Sequence, residues 1–369
     1  MSFGDELDFC ESGAFGVPSG PVVASGAGSL ARLGEFVSGR VLLVTDAGVV
    51  AAGILQQALR VLEGCEVFVF EEVRENPSEV DVEVAASFAR GVDAEMVVAL
   101  GGGSVIDTAK GVLFLLAGGG VMSDYVGHGE LGDVFLPLVA VPTTAGTGSE
   151  VQSFAVLMRG GEQGGKMACG DAGVMPKVAI LDALLTESLP LKVARLSALD
   201  ALSHALESLV CVSRSEASMG LSRGAFARIE SVIEPVLAGE ASVEERGVML
   251  VGAAMAGRAI EESMLGGAHA AANALTRFLG VAHGAAVWAV LPSILRFNTV
   301  EVGELYDELR DDLVEWVEKL GQLAELERVV VPEGLVRELA EEAAGQWTGT
   351  FNPRPLGVEE FVAIFEGLI

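Results

Sequence analysis

The chain has 369 residues, 51% of them hydrophobic, with 52 acidic against 23 basic side chains and a formal net charge of −29. At roughly 100 to 200 residues per domain this length suits two domains with a substantial core. The charge disfavours nucleic acid and anionic membranes as partners, because both bind through basic surface.

Short runs rich in Val and Leu recur early, at 41–45, 67–70, 97–100, 136–141 and 178–181, and each reads as a buried strand. Helical stretches at 53–62 and 80–91 lie between them, so the rhythm of strand, helix, strand predicts a parallel sheet with crossover helices. From about Glu187 the periodicity turns helical, at 215–237, 242–265 and 305–326. The expected organisation is an α/β domain over 1–184 and an all-α domain over 185–369. Apolar stretches such as 111–121 are shorter than the ~18 residues of a membrane span. Asp5, Glu6, Asp8 and Glu11 stand where an export signal would carry positive charge, and Cys10, Cys65, Cys169 and Cys211 lack C-x-x-C spacing. A soluble protein of the reducing cytoplasm is the expectation.

Two loops follow strands. Gly101-Gly102-Gly103-Ser104 opens a helical stretch after the run at 97–100, the arrangement that offers free backbone N–H groups to a phosphate. Thr143-Thr144-Ala145-Gly146-Thr147-Gly148-Ser149-Glu150 packs hydroxyls among glycines and suits a diphosphate or ribose. Neither is G-x-G-x-x-G, so a Rossmann fingerprint is not expected, and each loop alone also reads as a tight turn. Asp46 ends the first strong strand, where a carboxylate would accept from ribose hydroxyls and repel a 2′-phosphate; a plain turn aspartate fits as well.

The four histidines are 128, 204, 269 and 283. His128 lies outside any ligand pattern and reads as a loop residue. Asp200 and His204 are four apart without a breaker between them, so a helix puts both on one face. On one straight helix His269 and His283 would stand about 21 Å apart at 1.5 Å per residue, too far to share an ion. Gly280 between them offers a helix stop, and a turn there would fold His283 back toward His269. One aspartate and three histidines suit Fe²⁺ or Zn²⁺. Satisfied core histidines are the other reading of the same spacing.

Taken together, GGGSVIDTAK at 101–110, PTTAGTGSE at 142–150, DALSHALE at 200–207, the pair His269 and His283, and NPRP at 352–355 resemble the iron-containing, or group III, alcohol dehydrogenase family. The resemblance spans about Val22 to Pro355. It implies an N-terminal nucleotide-binding domain, a helical metal domain of the fold shared with dehydroquinate synthase, and NAD(P)-linked interconversion of alcohols and aldehydes in the cleft between them. A homodimer is common among such proteins.

Position by position, the resemblance implies Asp200, His204, His269 and His283 as metal ligands, Gly102, Gly103, Ser104 and Asp107 as the phosphate loop, and Thr143, Thr144 and Thr147 as the second nucleotide loop. It also implies Asp46 as a marker of NAD preference, with Lys166 and Asn76 near the cofactor. One departure concerns Asn273, which stands where many relatives carry a histidine four residues after the third ligand; an amide takes no proton at neutral pH. A lyase resembling dehydroquinate synthase shares the plan, but its substrate calls for basic residues that the helical half lacks near the ligands. A non-catalytic binder of NAD and metal is the reading Asn273 alone motivates. Ala272, Leu275, Phe278, Val287 and Trp288 hint at a small, apolar substrate.

Overall fold

The computed structural model describes residues 20–129, 131, 135–160 and 164–369. The acidic opening at Asp5, Glu6, Asp8 and Glu11, and Cys10, lie outside them. The chain divides into two compact units between Leu189 and Pro190.

Among the described residues of the first unit, nine strands run in chain order: β1 (Val22–Ser25), β2 (Arg40–Asp46), β3 (Glu66–Val73), β4 (Met96–Gly101), β5 (Gly127–His128), β6 (Leu138–Pro142), β7 (Phe154–Met158), β8 (Lys166–Gly170) and β9 (Val178–Leu181). Its helices are α1 (Leu33–Phe36), α2 (Ala47–Ala51), α3 (Ile54–Val61), α4 (Glu79–Gly91) and α5 (Gly103–Ala117). Six strands form a sheet in the order β1-β9-β6-β4-β2-β3, every pair parallel. Alternation along each strand splits the core. Leu42, Val44, Val97 and Ala99 pack with α4 and α5 on one face, while Val41, Leu43, Val98 and Leu100 pack with α3 on the other. Strands buried on both faces are why these segments read as continuous apolar runs rather than alternating ones.

A smaller sheet, β5-β8-β7, was not expected from the sequence. It includes His128, whose backbone pairs with Gly170 in a two-residue strand and is not in a loop. A two-residue parallel strand and a pair of five-residue antiparallel strands leave too little periodicity to be seen.

The second unit is helical: α6 (Leu191–Val210), α7 (Glu216–Ala238), α8 (Val243–Glu262), α9 (Gly267–Leu279), α10 (His283–Asp307), α11 (Leu313–Leu323), α12 (Val336–Ala344) and α13 (Val358–Glu366). Helix α9 stops at Gly280, whose φ of 66° is the left-handed cap glycine accepts readily, and α10 restarts at His283. Within the helical stretch at 305–326, α10 ends at Asp307 and α11 starts at Leu313. Arg310 sits in the break, pairing with Asp312 and Glu230 and lying 4.9 Å over the Trp316 ring, a set of contacts a continuous helix would forfeit. Helix α10 alone among the described helices is long and apolar enough to cross a membrane; half of its most apolar window is buried within the protein.

Candidate functional site

The connection from β2 leads to one side, to β3, and the next returns to β4 on the other side of β2, so the sheet switches direction between β2 and β4. Ligands of such sheets bind outside the carboxyl ends of strands at that switch. Asp46, Gly102 and Thr143 stand at or just beyond the ends of β2, β4 and β6, which are neighbours in register.

The two glycine-rich loops meet. Thr143 N–H donates to the Gly101 carbonyl at 3.1 Å. A Cβ on Gly103 would fall 2.7 Å from Thr147 Cγ2 and 2.8 Å from its Oγ1, so the approach requires glycine. Helix α5 begins at Gly103 with Gly102 as its N-cap and no side-chain cap, which leaves its terminus to a phosphate. Asn76, at a left-handed φ of 52°, donates its N–H to Ser104 Oγ at 3.2 Å and so closes on the same loop. One oxygen of Asp46 caps α2 through Val49 N–H at 2.9 Å.

Asp107 sits differently from Gly102 and Ser104. It turns inward, accepting from Ser149 Oγ at 2.5 Å, and burial raises its pKa. Lys110, fully buried, donates to Ser149 Oγ and O at 2.7 Å and to the Phe154 carbonyl at 2.8 Å. These two residues of α5 therefore brace the second loop from beneath. Lys166, on β8, adds positive charge toward Asp107.

In the helical unit, α6 places Asp200, His204 and Glu207 on one face, at i, i+4 and i+7. His204 Nε2 lies 3.1 Å from His269 Nε2, and Asp200 Oδ1 lies 3.6 Å from each. Asp200, His269 and His283 each bring a ligand atom within 4.8 Å of the others. The four expected donors are thus together, three of them buried. Around a tetrahedral ion with bonds of about 2.1 Å, donor atoms stand about 3.4 Å apart. Asp200 Oδ1 is buried with no hydrogen-bond partner, so the donor set fits a divalent cation of borderline softness.

Electrostatics point the same way. Burial works against the Asp200 carboxylate, yet the charges of His204, His283 and His269 hold its pKa far below the carboxylate range. Burial likewise opposes charge on His269, but Glu207 and Asp200 raise it to about 9. The pocket attracts positive charge.

Glu207 belongs to this centre, although the sequence reading passed it over. Its Oε2 lies 2.5 Å from His269 Nδ1 and its Oε1 accepts from Ala268 N–H at 2.7 Å. A carboxylate on Nδ1–H leaves the Nε2 lone pair facing the other donors. Helix α9 has no side chain of its own at its N-cap, Gly266; Glu207 and Asn352 supply the caps, Asn352 Oδ1 accepting from Gly267 N–H at 3.1 Å. A Cβ on Gly266 would fall 2.9 Å from Glu207 Oε1 and 3.0 Å from Asn352 Oδ1. Asn352, the first residue of NPRP, also pairs with Asn298 on α10 at 2.7 and 3.1 Å. NPRP therefore ties down α9 and α10, two of the three helices that carry the expected donor histidines.

The apolar residues that hint at the substrate are mostly buried. Ala272, Leu275, Val287 and Trp288 are buried core positions, and Phe278 is half-buried under Arg277.

Comparison with known proteins completes the picture. Residues 21–183 match "Iron-containing alcohol dehydrogenase" and residues 195–369 match "Fe-containing alcohol dehydrogenase family, C-terminal". A 4-hydroxybutyrate dehydrogenase of Cupriavidus necator is 34% identical over 73% of this chain and 74% of its own. An NAD-dependent methanol dehydrogenase of Bacillus methanolicus is 29% identical over 86% of this chain and 84% of its own. The crystal structure of a 1,3-propanediol oxidoreductase superposes with a TM-score of 0.89 at 27% identity, covering 95% of this chain and 98% of that one. With a parallel nucleotide sheet in one unit, a histidine and aspartate cluster in the other, and both halves matched, the chain belongs to the iron-containing alcohol dehydrogenase family of oxidoreductases.

Proposed function

We propose that this chain interconverts small alcohols and aldehydes with NAD(H) and a divalent ion, Fe²⁺ or Zn²⁺, held by Asp200, His204, His269 and His283. The observation that carries it is the convergence of these donors around the unpartnered Asp200 Oδ1, backed by Glu207. Bound there, the ion supplies Lewis acidity for the substrate oxygen and NAD⁺ the hydride acceptor.

The remaining work falls to the chain. Asp200 contributes the negative charge that offsets part of the cation's, and Glu207 fixes the His269 ring. The α5 N-terminus with Gly102, Gly103 and Ser104 holds phosphate, and Thr143, Thr144 and Thr147 line the adjoining loop. Asn76 closes on Ser104, Lys166 adds positive charge, and Asp107 acts by bracing Ser149. Asp46 accepts from ribose hydroxyls and repels a 2′-phosphate, favouring NAD. The names of the relatives span methanol, 4-hydroxybutyrate and 1,3-propanediol, so a small alcohol with or without a second polar end suits this chain. Cys65, Cys169 and Cys211 are free thiols, which supports a reducing cytoplasm. A homodimer completes the proposal, testable by light scattering.

The test is anaerobic reconstitution with Fe²⁺ and separately Zn²⁺, followed by NADH formation against methanol, 1-propanol, 1,3-propanediol and 4-hydroxybutyrate. Metal-dependent NADH formation is expected. Equal turnover in metal-free protein, or silence with metal and NAD⁺ both bound, overturns it.

A further inference from the structure

Asn273 stands one helical turn after His269 on α9 and is half-buried, so the two side chains share a face. Its amide is held in one orientation by a line of polar residues. Asn273 Nδ2 donates to Gln346 Oε1 at 3.2 Å, Gln346 Nε2 donates to Glu342 Oε1 at 2.7 Å, and Arg277 Nη1 donates to Glu342 Oε2 at 2.5 Å.

The direction of each bond follows from the last. A guanidinium only donates and a carboxylate only accepts. Glu342 therefore takes the NH₂ end of Gln346, which turns the Gln346 carbonyl toward Asn273, which turns the Asn273 NH₂ toward Gln346. Flipping Asn273 sets carbonyl against carbonyl; flipping Gln346 as well sets a carbonyl against the carboxylate. Among the described residues Asn273 Oδ1 takes no hydrogen bond.

Resting on the dehydrogenase reading above, we propose that Arg277, Glu342 and Gln346 are positioning residues that make Asn273 Oδ1 a fixed, non-titrating acceptor. It reads one hydrogen-bond donor, a hydroxyl or amide N–H, carried by the ligand beside the metal centre. That donor belongs either to the dinucleotide or to a second hydroxyl of the substrate. An imidazole in this place would donate or accept according to pH; Asn273 accepts at every pH.

The test compares Asn273→Leu, Asn273→His and Glu342→Gln with wild type as metal-loaded proteins. It reads the NAD⁺ Kd by calorimetry, the KM for 1,3-propanediol against 1-propanol, and the pH dependence of whichever changes. A single net hydrogen bond corresponds to about a two- to tenfold change. Asn273→Leu is expected to weaken NAD⁺ binding by that factor if the donor is the dinucleotide's. If it is the substrate's, the diol KM rises relative to 1-propanol and the NAD⁺ Kd stays. Asn273→His keeps the acceptor above about pH 6.5 and loses it below, as the ring takes a proton and only donates. Glu342→Gln, which allows the line to run either way, gives a smaller loss of about twofold in the same quantity.

An unchanged NAD⁺ Kd and unchanged KM ratio in Asn273→Leu overturn the acceptor. A loss there with none in Glu342→Gln overturns the positioning line. Wild-type turnover of 1-propanol, measured alongside, separates either result from failure of the dehydrogenase reading. Melting curves identify a misfolded variant, in which case Asn273→His and Glu342→Gln decide.

Discussion

Glu207 and His269, 62 residues apart in sequence, face each other at 2.5 Å between α6 and α9. The same carboxylate accepts from Ala268 N–H, so one side chain both orients His269, a proposed metal donor, and starts the helix that carries it. In Glu207→Gln the amide accepts from one of these donors and turns NH₂ toward the other. Metal affinity is expected to fall about 10- to 100-fold, read by competition with a chromophoric chelator, while the NAD⁺ Kd stays as in wild type.

Metal uptake is expected to release protons. In the metal-free protein His269 titrates at about 9 rather than 6.5, because Glu207 and Asp200 outweigh burial. A cation must displace that proton, so affinity rises as pH climbs toward about 9. The raised value also stabilises the metal-free fold, fully below 6.5 and decreasingly as pH passes through about 9. Melting curves from pH 6 to 9.5 are expected to show the gap between loaded and metal-free protein widening. A constant gap would contradict the assignment.

Glu150 gives the opposite sign. Burial raises its pKa from 4.5 to about 7, with Lys110 opposing and Asp107 adding. A carboxylate harder to ionise when folded costs stability as pH rises from 4.5 through about 7. Glu150→Gln is therefore expected to melt higher than wild type above pH 7, by on the order of 2–3 kcal/mol, with the advantage gone near pH 4.5. Paired thermal melts at the two pH values check this.

Gly103→Ala places a methyl against Thr147, which must move. NAD⁺ binding is expected to weaken by about tenfold, consistent with 1–3 kcal/mol for overpacking. Metal affinity, set in the other unit, is expected to stay constant. Parallel NAD⁺ and chelator titrations distinguish a local effect from general loosening.

Asp46→Ala removes a helix cap and a negative charge together. The cap costs about 1 kcal/mol of stability. Loss of the charge is expected to raise the ratio of kcat/KM for NADP⁺ over NAD⁺ by about tenfold, one charge–phosphate repulsion near the surface. A lower melting temperature with an unchanged ratio would leave Asp46 as a cap only.

The clustering of Asp200, His204, His269 and His283 was legible because histidine is rare here, because Asp200 and His204 fall on one helical face, and because Gly280 announced the turn that brings His283 back. Glu207 lies in the same motif and on the same face, yet among 52 acidic residues a buried carboxylate is indistinguishable from a solvated one until its partner is known. Lys110 was hidden in the same way. A lysine eight positions into a helical stretch reads as surface, whereas its ammonium finds two oxygens of Ser149 in the second loop and the Phe154 carbonyl at the start of β7. Asp107 shows the reverse limit: its motif placed it correctly in the chain, but only packing shows that it faces Ser149. The strands of the parallel sheet were visible as apolar runs because both faces are covered, while β5, β7 and β8 were too short or too mixed to stand out.

Asn352 holds the first turn of α9 and the middle of α10 from a position near the carboxyl end of the chain. During synthesis, His269 and His283 leave the ribosome long before the side chain that pins their helices exists. A chain released before residue 352 therefore keeps Asp200, His204, His269 and His283 and lacks the side chain that fastens α9 to α10.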